Sequence, residues 1–392
     1  MLATEPLKAE ELRWEEKMAY IERILIVGGG IAGLTLATAL HRRGFKAELV
    51  ERSSSWHATG AGILLHANGM SILRALGLGE AVEQAGAIVR HWSFCDQHGE
   101  MLCDTDLEEL WGKVGPCIGI ERPKLQKALL SGAAAIPFRL GTSVTSLTQD
   151  EKRVSVGFSD GSTGNYDLVV GADGIYSTVR ALVMGPVRPG YTGLMIWRTL
   201  LLIQPRGVTY FRLLLGEDCF FGIMPMGDGL TNAFGGVGMP RTHDPAQGRL
   251  ERFRKRFAGF GGQVQECLAA ILSDEQIYCG PIEWVKLDNW RRGRVVLIGD
   301  AAHAGPPTMA EGGCMAMEDA HVLAEVLRRE ETVESALDRF VTRRRPRANW
   351  VQQQSRSVVE SLLLPPALRN PTFRERGNQG MHDRFGPLIS EP

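Results

Sequence analysis

No disulfide framework or cysteine-bound metal is favoured here. The seven cysteines, Cys95, Cys103, Cys117, Cys219, Cys267, Cys279 and Cys314, are odd in number, and no two stand at CxxC spacing. Reduced thiols point to a cytoplasmic setting. A dominant charge is missing too: 44 Lys and Arg against 45 Asp and Glu leave a net charge of −1. That gives no global field to attract nucleic acid or an anionic membrane. Long apolar runs are absent, and nothing approaches the roughly eighteen residues of a spanning helix, which argues against stable membrane insertion. There is no internal repeat and no low-complexity tract. The opening MLATEPLKAEELRWEEKMAY is charged and lacks the apolar run of a signal peptide. Residues 1–20 read as an N-terminal extension, and Met18 offers an alternative start that leaves 1–17 dispensable. These exclusions leave a globular protein with a small-molecule partner.

What is present begins with a nucleotide-binding pattern. The 392 residues, 44% of them hydrophobic, suffice for more than one domain. Ile24-Leu-Ile-Val27 is a buried-strand run, Gly28-Gly-Gly-Ile-Ala-Gly33 a glycine turn, the stretch to His41 an amphipathic helix, and Ala47-Glu-Leu-Val50 a second strand ending at Glu51. In such a βαβ unit Gly28 permits the tight turn, Gly30 admits a pyrophosphate, and Gly33 lets the helix pack on the strand. Ile31 and Ala32 then offer first-turn amides to the phosphates. Glu51 lies at the distance where an acid accepts from a ribose, with Arg52 beside it.

Further along, helices are predicted at 69–76 and 123–130, the latter opening with proline. Two strands flank Asp160-Gly161 as a hairpin. From Tyr191 to about Gly238 short β runs alternate with turns, which predicts a mainly antiparallel second domain. Arg294-Val-Val-Leu-Ile298 restores the parallel pattern, and helices are expected over 314–328 and 333–349. The polar segment from Pro365 onward, with several Pro and Gly, reads as a loosely packed tail.

Two later segments carry a family resemblance. Gly171-Ala-Asp-Gly-Ile-Tyr-Ser-Thr-Val-Arg180 resembles the DG motif, and Gly299-Asp300-Ala-Ala-His303-Ala-Gly-Pro306-Pro307 the GD motif, of the class A flavoprotein monooxygenases, the para-hydroxybenzoate hydroxylase family. The resemblance covers residues 21 to about 358. It implies that FAD is bound by the single glycine fingerprint and that NADH or NADPH acts as co-substrate without a domain of its own. Asp173 and Arg180 take cofactor contacts, and Asp300 accepts from a ribityl hydroxyl. Gly312 and Gly313 open a helix toward the flavin pyrimidine edge. Arg122 and the loop Gly60-Ala-Gly62-Ile63 resemble further FAD contacts. Where the family runs Gly-Gln-Gly, this chain has Ala310-Glu311-Gly312, so a carboxylate stands near the flavin. His303 is read as part of the loop framework, and Arg343-Arg-Arg-Pro-Arg347 as a solvated basic face.

The implied fold is α/β. A Rossmann-type FAD-binding domain (21–92, 116–185 and 277–345) is interrupted by a mainly antiparallel β-sheet substrate domain (93–115 and 186–276). A C-terminal helical or tail region (346–392) follows. The implied function is hydroxylation of an activated aromatic or N-heteroaromatic ring through a flavin hydroperoxide, consuming NAD(P)H and O2. Substrate contacts are expected from Trp197, Arg198, Phe211, Phe221, Met224, Pro225 and Pro306, although ordinary sheet core accounts for apolar residues in this pattern equally well. Arg198 would pair with a substrate anion, His66 would assist deprotonation of a phenol, and the carbonyl of Pro307 would face the substrate. The W-x-W-x-I-P string of related halogenases is absent. A flavin dehydrogenase or reductase that inserts no oxygen, an epoxidase, and a flavin sensor without turnover are the competing readings. No room is left for the thioredoxin-like domain of larger phenol hydroxylases, so a monomer or homodimer is expected.

Overall fold

A computed structural model describes residues 21–56 and 62–392. The N-terminal extension and Gly60-Ala61 lie outside the described residues. The continuous apolar runs become a parallel sheet buried on both faces, with strand order Arg291–Arg292, Val295–Leu297, Leu168–Gly171, Ile24–Val27, Ala47–Glu51, Phe138–Leu140. Only the Arg291–Arg292 edge is antiparallel. Helix Ile31–Arg42 packs on this sheet, burying Leu34, Leu36, Ala37 and Leu40. The expected hairpin forms as Val154–Phe158 against Thr163–Tyr166, with Val144–Gln149 as a third strand.

The second domain is a seven-stranded sheet ordered Tyr278–Trp284, Gly190–Leu201, Thr231–Gly238, Cys219–Pro225, Phe211–Leu215, His91–Asp96, Met101–Asp106. All its pairs are antiparallel except Phe211–Leu215 with His91–Asp96. Two domain boundaries therefore move. Trp92 and the strand Tyr278–Trp284, expected in the FAD-binding segments, belong to this sheet.

Each face of the sheet has its own apolar layer. Leu194, Ile196, Phe211, Leu213, Phe220 and Met224 lie on the inner side with Leu64, Met226 and Met309. Met195, Trp197, Phe221 and Ile223 lie on the outer side, beneath Phe253, Phe257 and Phe260.

The C-terminal reading needs correction. Helix Val333–Leu362 runs far beyond the expected end, and the supposed loose tail is a helix, Pro366–Phe385. Met381, Phe385 and Leu388 are buried in the inner layer, so apolar anchors spaced among polar residues hold the segment down. Pro366 opens this helix, where its missing N–H costs nothing.

Candidate active site

The glycine turn forms as its sequence requires. Gly28 has φ +108°, and a Cβ there would lie 2.4 Å from the Ala172 carbonyl oxygen; one at Gly33 would lie 1.9 Å from the Gly28 oxygen. No side chain could replace either without moving backbone. Gly30, in contrast, faces open space. Helix Ile31–Arg42 has no side-chain cap, so its first amides, at Ile31, Ala32 and Gly33, are free to meet an anion. Glu51 accepts from Gly29 N–H at 2.7 Å and Ser53 N–H at 2.8 Å, which fixes its carboxylate at the strand end. Gly29, Gly30, Ile31, Glu51, Ser53 and Arg122 line one cavity of about 220 Å³. Arg52 is exposed beside it.

The two later motifs meet this turn from the neighbouring strands. Asp173 caps helix Thr178–Met184, accepting from Thr178 N–H at 2.7 Å, Val179 N–H at 3.0 Å and the Ser177 hydroxyl. Arg180 is turned inward and buried. It donates to the Ala301 carbonyl at 2.9 Å and the Ile175 carbonyl at 2.6 Å, tying one motif loop to the other. Asp173 and Arg180 thus shape the loops from within. Asp300 is exposed and engages in no hydrogen bond among the described residues. Gly62 sits on the strand Gly62–Leu65, its N–H donating to Asn232 Oδ1 at 3.3 Å.

Helix Gly312–Arg329 is likewise uncapped at its start, and Gly312 faces open space. Its positive end can therefore stabilise negative charge. Ala310 is held at φ +55°, a region where the family's glycine carries no steric penalty. Glu311 turns away from that opening. It is buried, accepts from Asn68 Nδ2 at 3.0 Å, and is pushed up to about 8 by burial, so it is mostly neutral at pH 7. The carboxylate that the resemblance placed near a flavin is thereby largely uncharged.

Behind it lies a buried polar network for which no local sequence pattern is a cue. Asn68 also donates to Glu318 at 2.9 Å, Arg344 bridges Glu318 at 2.6 Å and Asp319 at 2.8 Å, and Asp319 meets His303 Nε2 at 2.6 Å. Arg347 adds two bonds to Glu318 at 2.8 Å. The Arg343–Arg347 run is therefore no solvated face: Arg344 is fully buried. His303 belongs to the loop framework, held there by its buried hydrogen bond with Asp319.

On the substrate side the expected residues divide. Phe211, Met224 and Pro225 lie on strands facing the nucleotide domain, with Phe211 and Met224 in the inner layer. Trp197 and Phe221 do not join them. Trp197 donates to Asp244 at 2.9 Å and Phe221 packs on Phe253 and Phe257, both on the outer face, because strand neighbours point to opposite sides. Phe220 and Phe234 flank the inner face instead. Arg198, which alternates with Trp197, is half-buried and has no hydrogen bond or ion pair among the described residues. Burial first, and then the Arg122 charge, lowers its pKa.

His66 is not available as a base. It is fully buried among Trp92, Trp111 and Phe385, its Nε2 lies 3.0 Å from the Met309 carbonyl, and burial lowers its pKa to about 4. Pro306 is buried. Pro307 is exposed, and its carbonyl closes a turn on Ala310 N–H at 3.0 Å.

An open glycine cradle, two uncapped helix ends, a fixed Glu51 and a free Asp300 fit a dinucleotide of FAD type. The sequence agrees: residues 22–355 match the family described as FAD binding domain. The chain belongs to the class A flavoprotein monooxygenases. This monooxygenase is 34% identical over 330 residues to the aurachin C monooxygenase/isomerase of Stigmatella aurantiaca, covering 83% of this chain and 86% of that protein. It is 32% identical over 358 residues to the 3-amino-4-hydroxybenzoate 2-monooxygenase of Streptomyces cremeus, covering 88% of each. The crystal structure of Klebsiella pneumoniae HpxO complexed with FAD and uric acid superposes with a TM-score of 0.87 at 27% identity, covering 95% of this chain and 97% of that one. No helix among the described residues is long and apolar enough to cross a membrane.

Proposed function

We propose that this FAD-dependent monooxygenase hydroxylates a small aromatic or N-heteroaromatic ring bearing an oxyanion, and that Arg198 holds the anion. One observation carries the reading: a half-buried guanidinium without a partner among the described residues, on the sheet face turned toward the nucleotide-binding domain. An unpaired buried cation is costly unless a ligand completes it. The relatives' own substrates, an aminohydroxybenzoate and uric acid, are of this kind.

FAD supplies the redox chemistry, taking electrons from NADH or NADPH and activating O2. Gly28, Gly30, Gly33, Glu51, Arg122, Asp300, Gly312 and Gly313 would hold it. The protein's part is to bind, orient and exclude water. Phe211, Phe220 and Met224 give the ring an apolar wall, while Arg198 favours the ionised, electron-rich form of the substrate. The first-turn amides of helix Gly312–Arg329 favour negative charge at the cofactor edge. A cytoplasmic location suits the reduced nicotinamide and the reduced thiols.

The test is NADH and NADPH oxidation under air with hydroxybenzoates, hydroxypyridines, hydroxyquinolines and urate, with Arg198→Met alongside. Oxidation stimulated by an anionic ring in the parent enzyme, and a KM raised at least about tenfold in the variant with FAD content unchanged, supports the reading. An unchanged KM removes Arg198 from the substrate site.

A further inference from the structure

We propose that the cleft between the C-terminal helices and the strand His91–Asp96 is a second ligand site, built for a small aromatic oxyanion such as an aryl carboxylate. The cleft is a cavity of about 330 Å³, within the range of small-ligand sites. Trp92, Phe94, Phe373 and Phe385 contribute rings to its wall, and Arg369, Arg376 and Arg384 contribute guanidinium groups.

Charge and hydrogen bonding both call for an acceptor. None of the three arginines forms an ion pair among the described residues, the neighbouring Asp383 only favouring the Arg384 charge from a distance, whereas Arg344 and Arg347 of the preceding helix are fully paired. The one acidic residue of the wall, Asp383, accepts from Gln379 at 2.8 Å. Arg369 is 1% exposed; it donates to the Leu362 carbonyl at 3.0 Å and to Asn370 at 3.2 Å, and its Nη2 is buried without an acceptor. Trp92 Nε1 and Arg384 Nε are buried donors in the same condition. Unmet buried donors are costly, and all three belong to residues that line this one cavity. A ligand supplying acceptor oxygens on a flat ring satisfies donors and rings together.

The site shares the inner layer of the sheet with the Arg198 site, Trp92 packing on Phe211 with ring centroids 4.5 Å apart, but neither Arg198 nor any nucleotide-binding loop lines it. It touches the cofactor region only through Thr308 and Met309, which lead into Ala310-Glu311-Gly312. Its occupant is a second molecule of substrate or product, or a separate effector of the same chemistry.

The experiment is calorimetric titration of the FAD-loaded full chain with benzoate, benzyl alcohol and acetate, on the parent enzyme, on Arg198→Met and on Arg376→Met/Arg384→Met. Benzoate should bind Arg198→Met, and bind the double variant at least about tenfold more weakly at that site, with flavin absorbance and circular dichroism unchanged. Benzyl alcohol and acetate should each bind at least about tenfold more weakly than benzoate. Arg376→Gln, at an exposed position, carries the same expectation with a smaller loss should the double variant misfold. No benzoate binding to Arg198→Met, or undiminished binding to the arginine variants, overturns the site whether or not the enzyme hydroxylates anything. The hydroxylation substrate displacing benzoate from Arg198→Met assigns the site to a second substrate molecule; failure to displace assigns it to an effector.

Discussion

Glu311 is a carboxylic acid sealed from water, accepting one hydrogen bond from Asn68 and leaving Oε1 unmet. Its pKa is raised from 4.5 to about 8. A raised acid binds more protons folded than unfolded, so its contribution to stability is present below the unfolded pKa and is lost as pH climbs to about 8. His66, lowered from 6.5 to about 4, works in the opposite sense, but its effect is already halved at its unfolded pKa and fades above it. Between pH 6.5 and 8, of these two, Glu311 outweighs His66, and it acts downward. Thermal unfolding should therefore show the melting temperature falling across that window, and Glu311→Gln should flatten the fall, a difference of roughly a few kcal/mol at pH 8. An identical slope in the variant would show that Glu311 does not govern it. Single residues also show what the sequence could reveal. Gly28 and Gly33 were legible because their constraint is local backbone geometry. Trp197 beside Arg198 was half legible: alternation says the two cannot share a face, yet only the packed helix carrying Phe253 and Phe257 reveals which one turns outward. His66 was misread because its burial depends on Trp111 and Phe385, distant in the chain.

Helix Gly312–Arg329 presents its free end to the cofactor site and is anchored at Glu318 and Asp319 by ion pairs to helix Val333–Leu362. Arg344 joins the two elements while wholly buried, and removing one partner of such a set leaves uncompensated charge. Arg344→Met should cost about 3–5 kcal/mol in denaturant unfolding. A cost near zero would mean the carboxylates find other partners. The two ends of the cofactor site should also respond differently to small changes. Gly28→Ala, which drives a Cβ into the Ala172 carbonyl, should abolish FAD retention through purification. Ala310→Gly, which relieves a left-handed alanine, should retain it. The C-terminal helix is held by buried anchors, and Phe385→Ala should cost about 3–5 kcal/mol by the same unfolding measurement. These helices were legible in existence and poorly legible in role. Apolar periodicity placed Gly312–Arg329 to within two residues at either end, but the contacts joining Arg344 to Glu318 and Asp319 are long-range and leave no local pattern. The last helix has a strongly polar surface with few anchors, so composition alone suggested a loose tail.

Taken as a whole, the molecule sets a parallel sheet that ends in nucleotide-binding loops against the inner face of a larger antiparallel sheet. The three glycine-bearing motifs come from three adjacent parallel strands, Ile24–Val27, Leu168–Gly171 and Val295–Leu297, which is why segments far apart in sequence converge on one cofactor site. Their order along the chain was readable because each keeps its strand, turn and helix together. The substrate side was less readable, since its wall is assembled from alternate residues of several strands and no local motif marks them. The central claim, that this architecture delivers one atom of O2 to an anionic aromatic ring, is tested most directly by mass analysis of the product formed under 18O2 with NADH or NADPH and the best ring from the panel. The account predicts a product carrying one 18O atom, with about one nicotinamide oxidised per product when coupling is tight. Substrate conversion without any 18O in the product would contradict it.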